Sequence, residues 1–154
     1  MSKTLRYRLF KSGAMPEAVR AEINNEQLLF FDEGVSVTVR RRGTAPGFRG
    51  SASGKFSGAL AITDRRVVAT ISKTKMVDAP YDANAAADKP AEVALAADGL
   101  HVKVDAGVHP RCTGEIEMHF KADLTNEQLA QFPKREVRFS FPPELVPKIF
   151  GVPG

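Results

Sequence analysis

Apolar and polar residues alternate with a period of two over much of this chain. Val35, Val37 and Val39 alternate with Ser36, Thr38 and Arg40. Leu100, Val102 and Val104 alternate with His101, Lys103 and Asp105, and Ile116, Met118 and Phe120 with Glu117, His119 and Lys121. A period of two sends one residue set into a core and the other into water, the pattern of half-buried antiparallel strands. The run from Gly58 to Ile71 differs: it is apolar almost throughout and is broken only by Thr63, Asp64, Arg65 and Arg66. That tetrad predicts a tight turn between two strands, with Leu60, Ile62 and Val68 buried and Asp64 accepting a backbone hydrogen bond.

The remaining elements follow from shorter signals. Leu5, Tyr7 and Leu9 alternate with Arg6 and Arg8, an edge strand or a late-docking arm. Pro16 and Glu17 open a helix with Val19 and Ile23 on one face, ending near Asn24 and Asn25. Four glycines and a proline between Gly43 and Gly54 predict a loop with Phe48 at its tip. A fourth strand is expected over Lys75–Tyr81, followed by a connector over residues 82–90. Val93 and Leu95 alternate, and Asp98-Gly99 is a two-residue turn signal. Thr125 with Gln128 makes a capping-box pattern for a short helix reaching Phe132. Val137, Phe139 and Phe141 read as extended, and Pro142 and Pro143 start a last helical turn.

At 154 residues the chain is long enough for one domain with a substantial core. Cys112 is its one cysteine, so no intrachain disulfide forms, which suits a reducing, cytoplasmic setting. No apolar run reaches membrane-spanning length. Charge is uneven. Residues 34–77 hold nine basic residues against Asp64 alone, a net +8, while the rest of the chain is net −4. Such a field can orient a domain on an anionic surface.

The Thr63–Arg66 turn with its apolar flanks, together with an order of four strands, three strands and a helix, resembles the bacterial pleckstrin-homology-like domains. The resemblance covers about residues 28–132. It implies a mainly β barrel of two antiparallel sheets (4+3 strands) capped by a C-terminal helix. Residues 1–27 and 133–154 would then be N- and C-terminal extensions of a single domain spanning 1–154. In many members of that fold, basic residues flanking the first hairpin loop grip phosphoinositide headgroups. The matching positions are Arg40, Arg41 and Arg42 before the loop, Arg49 within it and Lys55 after it. The usual basic pair after the loop is missing, because Phe56 and Ser57 follow Lys55.

Catalytic chemistry has little support. The run from Gly50 to Gly54 lacks the spacing of a nucleophile elbow, and the glycine-rich stretch lacks the Gly-Lys-Ser/Thr ending of a P-loop. Even pairing sums between the two histidine-bearing strands, with a sum of 220, set His101 opposite His119 and Lys103 opposite Glu117. Cross-strand Cβ atoms lie about 5 Å apart, but this spacing places no third ligand, so neither a metal nor a cofactor is expected. The Arg40–Arg42 run lacks interleaved aromatics, so nucleic acid is not an expected partner. The function read from the sequence is a non-enzymatic binding or assembly module. Its expected partner is an anionic lipid headgroup or a protein, met through the basic residues. The alternative is a small-ligand carrier or enzyme using an internal barrel cavity. The apolar tail from Val137 to Phe150 must bury itself on its own barrel or on a neighbour; the second outcome would make a homo-oligomer.

Overall fold

The computed structural model describes residues 13–82 and 89–151. Helix α1 (Glu17–Glu22) leads into β1 (Leu28–Ala45), β2 (Phe48–Thr63), β3 (Arg66–Ile71) and β4 (Thr74–Pro80). Then follow β5 (Ala91–Ala96), β6 (Gly99–Asp105), a 3-10 turn over Ala106–Val108, β7 (Thr113–Lys121), α2 (Asn126–Gln131), β8 (Glu136–Phe139) and α3 (Leu145–Phe150). The eight strands form one antiparallel sheet in the order β4-β3-β2-β1-β7-β6-β5-β8. It curls into a nearly closed barrel. Its two edges are tied where Lys134, just before β8, donates from Nζ to the Tyr81 carbonyl just after β4, at 2.8 Å. The fold is mainly β, as the alternation implies. The expected count of four plus three strands in two sheets is corrected to eight strands in one. The additional strand, β8, pairs with β5 and buries Val137 and Phe139 while Glu136 and Arg138 stay in water.

The long β1–β2 hairpin sets the shape. Its pairing runs from Leu28 opposite Thr63 to Ala45 opposite Phe48, with an irregularity between Glu33 and Val35. Gly34 at that point has φ 69°, a left-handed value that favours glycine. Gly58 faces Val35 across the bend, and a Cβ there would lie 2.8 Å from Val37 Cγ2. Beyond the bend β2 changes partners. Only Gly58–Ile62 of β2 pairs with β3. That half is covered twice: Leu60 and Ile62 enter the barrel core, while Ala59 and Ala61 meet Met15, Val19 and Ile23 around α1 on the outer wall. Burial of both faces explains the nearly continuous apolar run, and alanines on the outer face leave room for the helix.

The expected loop between Gly43 and Gly54 is corrected: the hairpin continues through it and turns only at Pro46 and Gly47. Glycine serves close backbone approach here. Gly43 pairs with Gly50 on one side and Gly114 on the other. Its φ is 144°, and a Cβ on it would overlap the Thr113 carbonyl. Phe48 folds back onto the molecule, with its ring centroid 5.1 Å from that of Phe150.

Other expectations hold with small shifts. The turn before β6 is Ala97-Asp98, one residue earlier than expected, and Gly99 begins the strand with φ 122°. The Thr125–Gln128 capping box is formed in both directions. The tail buries itself: Val137, Phe139, Phe141, Val146, Ile149 and Phe150 all join the barrel's own core. Both α2, through Leu129, and α3, through Val146, Ile149 and Phe150, contribute to the same core. The Leu5–Leu9 arm and most of the 82–90 connector lie outside the described residues.

The Thr63–Arg66 turn joins β2 to β3 as predicted, with Leu60, Ile62 and Val68 fully buried. Its wiring is more extensive than a local turn. Thr63 Oγ1 accepts from the Arg65 and Arg66 amides and donates to Glu26 Oε1 at 2.7 Å. Asp64 accepts from the Gln27 amide, a residue distant in sequence. Arg66 pairs with Glu26 and Asp78 and donates to the Glu22 carbonyl. The arginine thus ties the end of α1 to the β3–β4 pair. Its hydrogen bonds are the largest cause holding the Glu26 carboxyl below its usual value of 4.5.

Arg66→Ala leaves the largely buried Glu26 without its guanidinium, and urea unfolding is expected to register a loss of about 2–4 kcal/mol. Because Glu26 has a lowered folded pKa, its stabilisation is present above pH 4.5 and fades as pH falls through the folded value. Stability of the parent protein should therefore drop more steeply on acidification than that of the variant; parallel acid profiles would show that this ion pair carries no such linkage.

Candidate functional site

Strand register arranges the outer wall of the barrel into rows. Arg40 on β1 faces Glu117 on β7, Glu117 faces Lys103 on β6, Lys103 faces Glu92 on β5, and Glu92 faces Arg138 on β8. Charge alternates along this row. In the row below, Arg42 faces Glu115, whose carboxylate also reaches Lys103 Nζ at 3.1 Å. Opposite charges placed directly across strands stabilise a sheet modestly, so the middle of this wall is close to balanced.

The five basic residues singled out in the sequence separate. Arg40 and Arg42 lie on the exposed face of β1, with Arg49 and Lys55 on the exposed face of β2. Arg49 faces Thr44, and Lys55 faces Thr38, so neither has an acid directly across its one ladder. Arg41 points the other way. It is 3% exposed, its guanidinium sits 5.7 Å from the Phe48 ring centroid, and it lines a cavity of about 50 Å³ with Val39, Phe56, Met76, Met118 and Ile149. Three adjacent arginines on a strand cannot share a face, because Cβ direction reverses at every residue. The Phe48–Phe56 stretch of β2 pairs with β1 alone among the described residues.

The interior is filled by the barrel's own side chains, Phe120, Leu60, Ile62, Leu100 and Ile116 among the largest. The roughly 50 Å³ space beside Arg41 is far below the ~300 Å³ at which small-molecule sites begin.

The second constellation sits one row above Arg40. His101 and His119 are directly opposite, as the sum of 220 requires, and Lys103 is opposite Glu117. The imidazoles stack, with centroids 4.3 Å apart and planes 9° from parallel. Asp98 joins them from the β5–β6 turn. His101 Nε2 donates to Asp98 Oδ1 at 2.8 Å, and His119 Nε2 donates to the Asp98 carbonyl at 2.9 Å. The His101 hydrogen bond is the main cause holding the Asp98 carboxyl below its usual range. The third histidine stands apart: His109 Nδ1 accepts from the Arg111 amide and lies 3.7 Å from Cys112 Sγ. Cys112 is buried, and burial raises its thiol pKa, which disfavours the reactive thiolate.

Sequence reasoning placed the histidine pair and missed Asp98. The residue stood in plain view in the turn signal, but its aim toward β7 depends on Gly99 and on two backbone bonds. The Ala122 amide donates to the Asp98 carbonyl at 3.2 Å and the Leu124 amide to the Ala97 carbonyl at 3.0 Å. The glutamates opposite Arg40 and Arg42 were legible only once β7 was known to be the neighbour of β1.

No family model, curated protein or solved structure matches this chain.

Proposed function

We propose that this chain is a non-enzymatic binding module of the pleckstrin-homology-like kind, which settles on an anionic lipid surface through the exposed face of the β1–β2 hairpin between Arg40 and Lys55. The observation that carries the reading is the placement of Arg49 and Lys55 on one exposed face of β2, with Arg40 and Arg42 alongside and no acid across the β1–β2 ladder from either β2 residue. Guanidinium groups pair bidentately with phosphate oxygens, and an ammonium adds a compact charge. The nearly closed antiparallel barrel, with α2 and α3 packed into its core, supports the fold side of the proposal. Phe48 is turned toward Phe150, so attraction at this face is electrostatic and salt-sensitive.

The Phe48–Phe56 edge of β2, which has β1 as its one strand partner among the described residues, favours a second reading, assembly with another chain by strand addition. Light scattering on the intact protein separates it from the first: strand addition between copies gives a mass above the monomer, unaffected by lipid.

Co-sedimentation with vesicles of phosphatidylcholine and an anionic phospholipid tests the lipid reading. Binding is expected near 0.05 M salt and should be largely lost near 1 M, where the Debye length shrinks to about 3 Å. The exposed double variant Arg49→Glu with Lys55→Glu should fold normally and lose the low-salt binding. Equal sedimentation of parent and variant, or none by the parent, would remove this function.

A further inference from the structure

We propose that Asp98, His101 and His119 form a binding site for a divalent transition-metal ion, Zn²⁺ in the first instance. The site clamps the β5–β6 turn onto β7. This inference stands apart from the lipid reading, since it uses none of the four exposed basic residues.

The donor set suits the ion. Two imidazole nitrogens and one carboxylate oxygen are ordinary Zn²⁺ ligands, and three protein ligands leave a position for water. A tetrahedral ion with ligand bonds of about 2.0–2.2 Å needs its donor atoms roughly 3.3 Å apart. Here the nearest His101–Asp98 donor pair is 2.8 Å apart and His119 Nε2 lies 3.7 Å from Asp98 Oδ2. One ligand atom from each of the three residues falls within 4.8 Å of the others. Closing the site takes side-chain rotations that turn both stacked rings until the in-plane Nε2 lone pairs meet at one ion, with no shift of the backbone.

The placement is built by the fold. His101 and His119 are fixed by the β6–β7 ladder, so their approach costs no backbone rearrangement. The Asp98 turn is held by the Ala122 and Leu124 amides. Ala94 lies across from His101 on β5, and Thr38 across from His119 on β1. These short neighbours leave a concavity of about 520 Å³ along the wall, lined by both histidines, through which a hydrated ion can approach. The side chains are 44% (His101), 62% (Asp98) and 32% (His119) exposed, so their donors can be reached without unfolding.

The hydrogen bonds of the metal-free site define what binding must change. The Asp98 carbonyl can only accept, so His119 carries its proton on Nε2 there. Coordination through Nε2 moves each neutral ring's single proton to Nδ1 and replaces both Nε2–H bonds with bonds to the ion. No redox change and no co-reactant are required.

The chain has three histidines and one cysteine, which makes the test clean on untagged protein. Calorimetric titration with ZnCl₂ should give one ion per chain. Histidine-selective nitrogen NMR should show His101 and His119 passing from the Nε2–H to the Nδ1–H tautomer on addition of Zn²⁺. His101→Ala and His119→Ala should each weaken binding by about tenfold or more, and Asp98→Asn should weaken it as well. The melting temperature of the parent should rise with Zn²⁺ and return with a chelator, because binding to the folded state alone stabilises it. Asp98 and His101 are exposed and His119 is half-buried, so without metal the variants should melt within a few degrees of the parent. His109→Ala should bind as the parent does. No Zn²⁺ heat from the parent, binding unchanged in the His101→Ala, His119→Ala double variant, or loss of binding in His109→Ala would each overturn the assignment.

Discussion

The bend in the β1–β2 hairpin is the constraint on which the rest of the molecule depends. Two strands of 18 and 16 residues cannot both stay flat and wrap a barrel, because twist and curvature accumulate along their length. Gly34 and Gly58 release that tension at one level. On one side of the bend β2 is a central strand, flanked by β1 and β3, roofed by α1 and filled from within. On the other it is an edge, flanked by β1 alone among the described residues, with arginine, serine and lysine facing water. One strand is therefore enclosed at one end and presents basic and polar side chains to water at the other.

The turn that closes the stable half explains why its polar residues are not free for a ligand. Thr63, Glu26, Arg66 and Asp78 exchange hydrogen bonds that tie α1, the start of β1, and the β3–β4 pair. Tyr81 completes the tie by donating to the Thr63 carbonyl at 2.9 Å, and burial pushes its phenol up to about 12. A segment of net +8 thus spends part of its charge on architecture. The opposite wall spends more of it, since Glu115 and Glu117 face Arg42 and Arg40. At the β2 margin, Arg49 and Lys55 face threonines across the ladder.

How much was legible in the sequence follows the range of the interactions involved. Period-two alternation reported the strands, and a shared core forced even pairing sums, so the opposition of His101 and His119 could be stated from spacing. Local capping chemistry located α2, and apolar content required the tail to be buried. The glycine-rich stretch misled because glycine signals both loops and close backbone passage. Only the partner strands, carrying Gly50 and Gly114 opposite Gly43, distinguish the two. Arg41 followed the strict alternation of its strand into the interior, although charge counting grouped it with its neighbours. Asp98 escaped because its direction is set by chain segments more than twenty residues downstream. The tail's eighth strand escaped because four residues with two apolar positions give too short a period to separate strand from extended coil.

The division of β2 into a half with two strand partners and a half with one among the described residues is tested most directly by residue-resolved amide hydrogen exchange on the intact protein. Amides of Gly58–Ile62 should be slow throughout, since both sides of the strand are hydrogen-bonded. From Phe48 to Phe56, protection should alternate, with every second amide, the one facing the outer edge, exchanging quickly. Uniformly slow exchange from Phe48 to Ile62 would contradict the account, because it would mean that the outer edge of Phe48–Phe56 is already paired.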